Sequence, residues 1–517
     1  MSDSVHIKQR EYAATRMRQP RNETFREFIG EDWGPRHENT TRMRVADFTP
    51  ARRMKLASQF IGERLVIPAG NLRIRSNDTD YRFRAHSSFA HLTGLGGERE
   101  PGAVLVLHPL MCTPATSTPS AEGAQPTHEA VLYFHPRASR SSEEFYADSR
   151  HGEFWVGPRP SLQQMATATG LQVKHIDSLR SDLSKDLGAD EGCVRIRVLP
   201  QADEAISALV EELRAQNSLP TGEQALQVDQ ELARATSQLR LIKDSWEIEQ
   251  MKQAVAVTAK GFEAMIAALP RAKKHWRGER VLEGAFGAKA REEGNGLGYE
   301  TIVASGNHAN TLHWIHNDGP VHEGDLVLID AGAELDSLYT ADITRTLPSS
   351  GHFSHTQRQV YEAVLDACEA ALRQANTPGS RFRDVHDAAM KVIAAHLEEW
   401  GVLPVSAEVS LNKDGGQYHR RWMPHGTSHH LGMDVHDCAQ AKRELYQDAV
   451  LQPGMVFTIE PGLYFRSDDM KVPQRFRGIG VRIEDDILIT DHGAERLSED
   501  IPRTVEDIES WMARLLL

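Results

Sequence analysis

Apolar positions along the chain divide it into four stretches. Residues 1–54 show little periodic apolar pattern and are rich in arginine (Arg10, Arg16, Arg18, Arg21, Arg26, Arg36, Arg42, Arg44, Arg52, Arg53), so a polar, partly ordered extension is expected there. Over 55–220, short apolar runs of strand length occur at Val66-Ile67, Ala103 to Leu107 and Ala130 to Phe134. Between the last two lies a stretch rich in Ser, Thr, Pro and Ala, the reading of which is a long loop at 112–128 inserted between paired strands. Ile206, Leu209, Val210 and Leu213 follow one helix face. Residues 221–239 read as a linker. From 240 a long helix is expected. Asp244 is its cap, and Glu247 lies three residues on in capping-box spacing. Ile248, Met251, Val255, Phe262, Met265 and Ile266 recur near the 3.6 period, and Pro270 marks its expected end.

Residues 240–517 hold the unusual patterns. Leu326 to Ile329 is a continuous apolar run that ends in a carboxylate, Asp330, which predicts a buried strand. Tyr339 to Leu347 alternates with period two, with Asp342, Thr344 and Thr346 on one face. A short connection near 334–337 would make the two an antiparallel hairpin with both aspartates on one side. Met455 to Glu460 puts Val456, Thr458 and Glu460 on one face, and Pro461-Gly462 breaks that strand. Ile479 to Ile489 reads as one apolar segment with Arg482 and Glu484 on a common face.

Composition narrows the classes. The chain has 517 residues, enough for two large domains. Its formal charge of −14 disfavours nucleic acid and anionic membranes as partners. No stretch approaches the roughly 20 apolar residues of a membrane span, and the first residues carry no apolar signal core, so a cytoplasmic setting is expected. The four cysteines lie far apart and include no CxxC, which argues against a disulfide scaffold and against a thiolate zinc site.

Histidine and carboxylate supply the candidate chemistry. His425, His429 and His436 fall at spacings of four and seven in a glycine-containing stretch. A carboxylate at the end of an apolar strand must be paired or bind metal, because burying it alone is too costly. Four such acids plus one imidazole make an oxygen-rich site of charge −4, which two divalent cations would balance. A bridging water there would be acidified and available as hydroxide. Oxygen-dominated ligation favours Mn²⁺ or a similarly hard ion. The spacing therefore points to a two-metal hydrolase.

The segments LVLIDAG, ADITRT, HGTSHHLGMDVHD, PGMVFTIEPGLYF and GIGVRIEDDILIT, in that order across roughly 240–500, resemble the aminopeptidase P and prolidase family of pita-bread metallopeptidases. IPAG at 67–70 and SNDTDYRFRAHSSFAHLTG at 76–94 resemble the amino-terminal domain of aminopeptidase P. The resemblance implies an α/β (α+β) architecture, with an amino-terminal α/β domain (55–220) before a carboxy-terminal pita-bread catalytic domain (240–517). It implies metal ligation by Asp330, Asp342, His429, Glu460 and Glu484. Glu460 would also take part in proton transfer. His313, His425 and His436 would steady the scissile carbonyl and its tetrahedral intermediate, and Arg482 matches the arginine beside the last ligand. His313, His425 and Asp78 fall at substrate-facing positions. The Asp330–Asp342 spacing is one residue longer than the family pattern, so an extra residue is expected in the 333–338 turn or as a bulge, with Asp336 as a fallback ligand. His430 stands where an aromatic is common and either lines the site or packs.

The implied activity is that of an Xaa-Pro aminopeptidase, a metallo-exopeptidase that removes the first residue when proline is second. Its expected cofactors are two Mn²⁺ ions, and the nucleophile would be a hydroxide bridging them. Its expected partners are peptide substrates and further copies of itself, as a homodimer or homotetramer. The alternatives are a prolidase restricted to Xaa-Pro dipeptides and a pita-bread protein without catalysis.

Overall fold

A computed structural model describes residues 20, 22–110, 127–188 and 193–516. The chain forms two units, 1–239 and 240–517. The 112–128 loop falls almost wholly outside the described residues.

The first unit is built on a five-stranded sheet. Its order is Gln172–His175, His128–Phe134, Val104–Pro109, Glu63–Pro68 and Arg195–Val198. The three expected runs all lie in it. The central three strands are antiparallel neighbours, and the two edge strands join parallel to theirs. Val66, Val104, Val106, Val131 and Tyr133 pack against Leu179, Leu183, Val210 and Leu213 of the covering helices.

The stretch read as a linker, 221–239, forms an 18-residue helix, Gly222–Leu239, with Ala225, Leu232, Ala233, Ala235 and Leu239 buried at helical spacing. Of the Arg-rich stretch, residues 1–19 and 21 lie outside the described residues, and the described part is less peripheral than its composition suggested. Glu23–Gly30 is a helix capped by the Asn22 side chain, and Trp33 sets its ring edge-on to Phe145 and Phe154. Val45 and Ala46 are buried. Arg52 and Arg53 are buried too, and their guanidiniums donate to the carbonyls of His91 and Leu92 at 2.9 and 2.7 Å. These arginines thus satisfy a helix end, a role that sequence polarity alone does not reveal.

In the second unit, Ser245–Ala272 pairs with Gly278–Glu293, and His355–Ala375 pairs with Phe382–Glu399. Between the helix pairs lie two three-stranded antiparallel sheets. One has the order Ile343–Pro348, Leu326–Ala331, Ile302–Ser305. The other has Val456–Ile459, Asp485–Thr490, Gly493–Arg496. A strand pair, Gly462–Phe465 with Ile479–Arg482, adjoins them. The Leu326–Ile329 run is apolar on both faces because both are covered. Val327 and Ile329 pack with the first helix pair, and Leu326 and Leu328 with the second. The expected capping box at Asp244 and Glu247 forms, but Pro270 does not end its helix. The helix runs to Ala272, because a proline this close to the carboxy-terminus removes only one late hydrogen bond. Among the described residues no helix is long and apolar enough to cross a membrane.

One buried network in the first unit gives a pH prediction. Arg64 donates to His108 Nδ1 at 3.0 Å, so the ring's other nitrogen donates to Tyr133, whose hydroxyl donates to Asp182. Burial, with Arg64 beside it, pushes His108 down to about 4. The unfolded chain takes up a proton at this ring below its ordinary pKa of 6.5, and the folded unit does not. Stability should therefore fall by about 2–3 kcal/mol between pH 6.5 and 4 from this group and then level off. Denaturant unfolding at pH 7 and pH 5 should show a smaller difference in His108→Gln than in the parent.

Candidate metal centre

Strand parity decides which side chains meet. Asp330 pairs across the sheet with Thr344, so Asp330, Asp342 and Thr344 share one side. The expected antiparallel pairing is present, but its connection is not a tight turn. Ala333–Glu334 leaves to pair with Gly296–Leu297, and the chain returns through Leu338 at φ 70°. Asp336 is exposed on that excursion. Gly332 is needed here, since a Cβ would lie 1.8 Å from the Ala341 carbonyl oxygen and 2.9 Å from the Tyr299 ring.

The expected single strand 479–489 is broken. Ile479–Arg482 pairs with Gly462–Phe465, whereas Asp485–Thr490 pairs with Val456–Ile459. At the break the Ile483 N–H donates to the Pro461 carbonyl and the Glu484 N–H to the Thr344 carbonyl. The backbone thus changes partner at Ile483-Glu484 and sets Glu484 beside the Asp342 strand. Glu460 follows its strand directly, its N–H donating to the Thr427 carbonyl.

Asp342, His429 and Glu484 each direct a ligand atom to a common point, all within 4.8 Å of one another. His429 Nδ1 is spent on the His430 carbonyl at 3.2 Å, which leaves Nε2 as the working nitrogen. Nε2 lies 3.2 Å from Asp342 Oδ2 and 3.7 Å from Glu460 Oε1. An imidazole lone pair facing two carboxylates requires a proton or a metal ion between them. Asp330 joins through Tyr299, whose hydroxyl lies 2.7 Å from Asp330 and 2.5 Å from Asp342. It also joins through Arg482, which reaches Asp330 Oδ2 at 2.6 Å. The same guanidinium donates to Thr344, and the Thr344 hydroxyl donates to Glu484 at 2.7 Å.

Burial governs the proton affinities. It raises Asp330, an effect opposed by Arg482 and reinforced by Asp342. It pushes Glu460 up to about 7 and Glu484 well above the usual carboxylate range. For His429 burial alone would lower the pKa, but the hydrogen bond and charge of Asp342, with Glu460, carry it up to about 9. Carboxylates crowded in a dry site and a histidine driven toward its cationic form all report missing positive charge. The donor set fits divalent cations: carboxylate oxygens plus one imidazole whose second nitrogen is already anchored.

The other predicted residues take distinct places. His425 donates from Nδ1 to the Gly426 carbonyl and accepts from the Tyr464 hydroxyl at 2.8 Å. Burial and Arg482 hold it down at about 3, so it is neutral. His436 is exposed, with its ring edge-on to His429 at 4.5 Å. His313 is exposed and close enough to influence both His425 and His436 electrostatically. His430 packs: it is fully buried and stacked on Phe382 at 4.6 Å. Asp78 lies in the first unit, exposed on the turn between Ile74–Ser76 and Thr79–Asp80.

Three participants escaped the sequence reading. Tyr299 lies outside any strand pattern and carries no spacing signal. Tyr464 shares the parity of Glu460, which could have flagged it. Asp486, fully buried, accepts from the Asp342 N–H at 3.2 Å and so fixes the backbone under that carboxylate. Tyr299→Phe should destabilise the metal-free protein by about 1–3 kcal/mol, because two buried carboxylates lose their shared donor. Urea denaturation of chelated protein measures this, and added divalent metal should recover most of the loss.

Comparisons with known proteins agree with this geometry. The model of Metallopeptidase family M24 matches residues 249–491, and that of the Aminopeptidase P, N-terminal domain, matches residues 50–194. Xaa-Pro aminopeptidase 1 of Streptomyces coelicolor is 46% identical over 90% of this chain and 87% of its own length. Xaa-Pro aminopeptidase 3 of Homo sapiens is 33% identical over 84% and 78%. Among solved structures, the low pH form of aminopeptidase P from E. coli superposes with a TM-score of 0.75 at 29% identity, covering 91% of this chain and 98% of that one.

Proposed function

Since this chain belongs to metallopeptidase family M24, with an aminopeptidase P amino-terminal domain ahead of the peptidase domain, we propose that it hydrolyses the bond between the first residue of a peptide and a proline in second position. The observation that carries the reading is the convergence of Asp342, His429 and Glu484 with the His429 Nε2 lone pair turned inward. Relatives named Xaa-Pro aminopeptidases that match along most of their length favour this activity over that of a prolidase.

The ligand set of the proposal is Asp330, Asp342, His429, Glu460 and Glu484, holding two divalent ions, with Mn²⁺ favoured by the oxygen-rich donors. When bound, the ions supply Lewis acidity and lower the pKa of water to the neutral range. The protein's own residues do the rest. Glu460, whose carboxylate lies beside His429 at the same site, takes a proton from the attacking water and returns it to the proline nitrogen. His436, open to solvent, donates to the oxygen that gains charge, contributing about 3 kcal/mol to transition-state stabilisation. His425, neutral, has its Nδ1–H on the Gly426 carbonyl and its Nε2 on the Tyr464 hydroxyl, and steadies the same oxygen by releasing the Gly426 carbonyl. Arg482 locks Asp330 and Thr344 in register. His313 contacts the peptide from the exposed side, and Asp78 is carried as a further substrate contact. Assembly as a homodimer or homotetramer belongs to the same reading. Apolar side chains exposed on the first unit, Phe28, Trp33, Phe154 and Trp155, support it.

Chelated protein should lose turnover of an Xaa-Pro-Xaa tripeptide, and Mn²⁺ should restore it better than Zn²⁺ or Mg²⁺. Turnover of Xaa-Pro dipeptides alone would favour prolidase, and full activity of metal-free protein would overturn the reading. Elemental analysis separates the histidines: His429→Ala should lose metal and rate together, whereas His436→Ala should keep metal and lose rate. Equal metal loss in both would contradict that division.

A further inference from the structure

Outside the metal centre, a second carboxylate is fully buried and heavily bonded. Glu279 stands in the first turn of Gly278–Glu293, where the helix amino-terminus favours negative charge. Its Oε1 accepts from the Ser305 N–H and from His308 Nδ1, both at 2.8 Å. Its Oε2 accepts from the Trp314 indole at 2.9 Å and from the Gly319 N–H at 2.7 Å. The Glu279 N–H in turn donates to the Gly319 carbonyl. One carboxylate therefore ties both ends and the middle of the segment 305–319.

The segment needs such a tie, because its own backbone offers little. After the short helical turn Gly306–Asn310 it has no regular structure up to Gly319. Its return leg is held by Asn317, buried at φ 46°, whose amide bonds Val303 and Thr301. His308 and Trp314 stack at 3.9 Å across the loop and point their ring N–H groups at the same carboxylate. A Cβ on Gly319 would meet the His308 ring at 2.6 Å and Glu279 Oε2 at 2.9 Å, so the closure is as tight as a glycine allows. Between the anchors His308 and Trp314 lies His313. It neighbours Trp314 in the chain, is exposed, and lies close enough to His425 and His436 to act on both electrostatically.

We propose that Glu279 is a positioning residue for the reaction: its buried carboxylate fixes the 305–319 loop so that His313 is presented to the peptide. A loop of this kind without its anchor samples many conformers, and a displacement of about 1 Å of a substrate-contacting group can cost on the order of a hundredfold in rate. This inference rests on the reading of His313 as a substrate contact, and the test keeps the two apart.

The experiment is a double-mutant cycle on the metal-loaded full chain, read as kcat/KM on an Xaa-Pro-Xaa tripeptide with bound metal measured in parallel. Glu279→Gln replaces one acceptor oxygen by an amide nitrogen that cannot accept, so two of the four bonds fail. It should lower kcat/KM about ten- to a hundredfold with metal content unchanged. In a His313→Ala background the same change should cost less than about twofold, since the group it positions is gone. Trp314→Phe, which removes only the indole N–H, should give a smaller loss with the same dependence on His313. It serves as the test should Glu279→Gln fail to fold. Losses of equal size in both backgrounds, or loss of metal in either variant, would overturn the positioning role and leave Glu279 as part of the scaffold. Parent-level activity of His313→Ala alone would instead overturn the assignment of His313.

Discussion

The site of the second unit is arranged around one electrostatic cost: four carboxylates, Asp330, Asp342, Glu460 and Glu484, held close together, with all but the half-buried Glu460 out of water. Such a group is unstable by itself. The chain offsets part of the repulsion with Arg482 on Asp330, with Tyr299 shared between Asp330 and Asp342, with Thr344 on Glu484 and with His429 facing Asp342. It leaves part uncompensated. The raised proton affinities of Asp330, Glu460 and Glu484 and the elevated pKa of His429 reflect that remainder, and divalent cations are the species that would remove it. Stability has been given up locally to make a place for positive charge.

The fold makes this affordable by covering both faces of the strands. Val327 and Ile329 pack one way and Leu328 the other, so the strand that delivers Asp330 is held by apolar contacts on both faces. Rigidity is what sets the ligand positions to within a fraction of an ångström. The break at Ile483-Glu484 shows the same economy. By changing partner strand there, the backbone puts Arg482 and Glu484 on opposite sides of one joint, so that each reaches the Thr344 hydroxyl from its own direction.

Much of this was legible in the sequence, because strand parity is a local property. An apolar run ending in Asp330, and Glu460 before a Pro-Gly break, state both a strand and a polar terminus. The antiparallel pairing of the Asp330 and Asp342 strands and the capping box at Asp244 followed from spacing alone. What was not legible depends on long-range contacts. Tyr299 reaches the site from an irregular segment, and nothing near it in the chain announces two carboxylate partners. The strand change at Ile483 is dictated by the Pro461 and Thr344 carbonyls, both remote in sequence. Arg52 and Arg53 read as solvated charge because polarity was visible, whereas the carbonyls they satisfy were not. Pro270 read as a stop because the rule for proline is a rule for helix interiors, and the helix had almost ended.

The central claim is that the uncompensated charge is a two-cation site. Calorimetric titration of chelated protein with Mn²⁺, at neutral pH, tests it most directly. The account predicts two ions bound per chain in the parent, and a loss of tight binding in Glu484→Gln, whose carboxylate lies at the convergence point with Asp342 and His429. Binding of no ion by the parent, or binding untouched by that substitution, would contradict it.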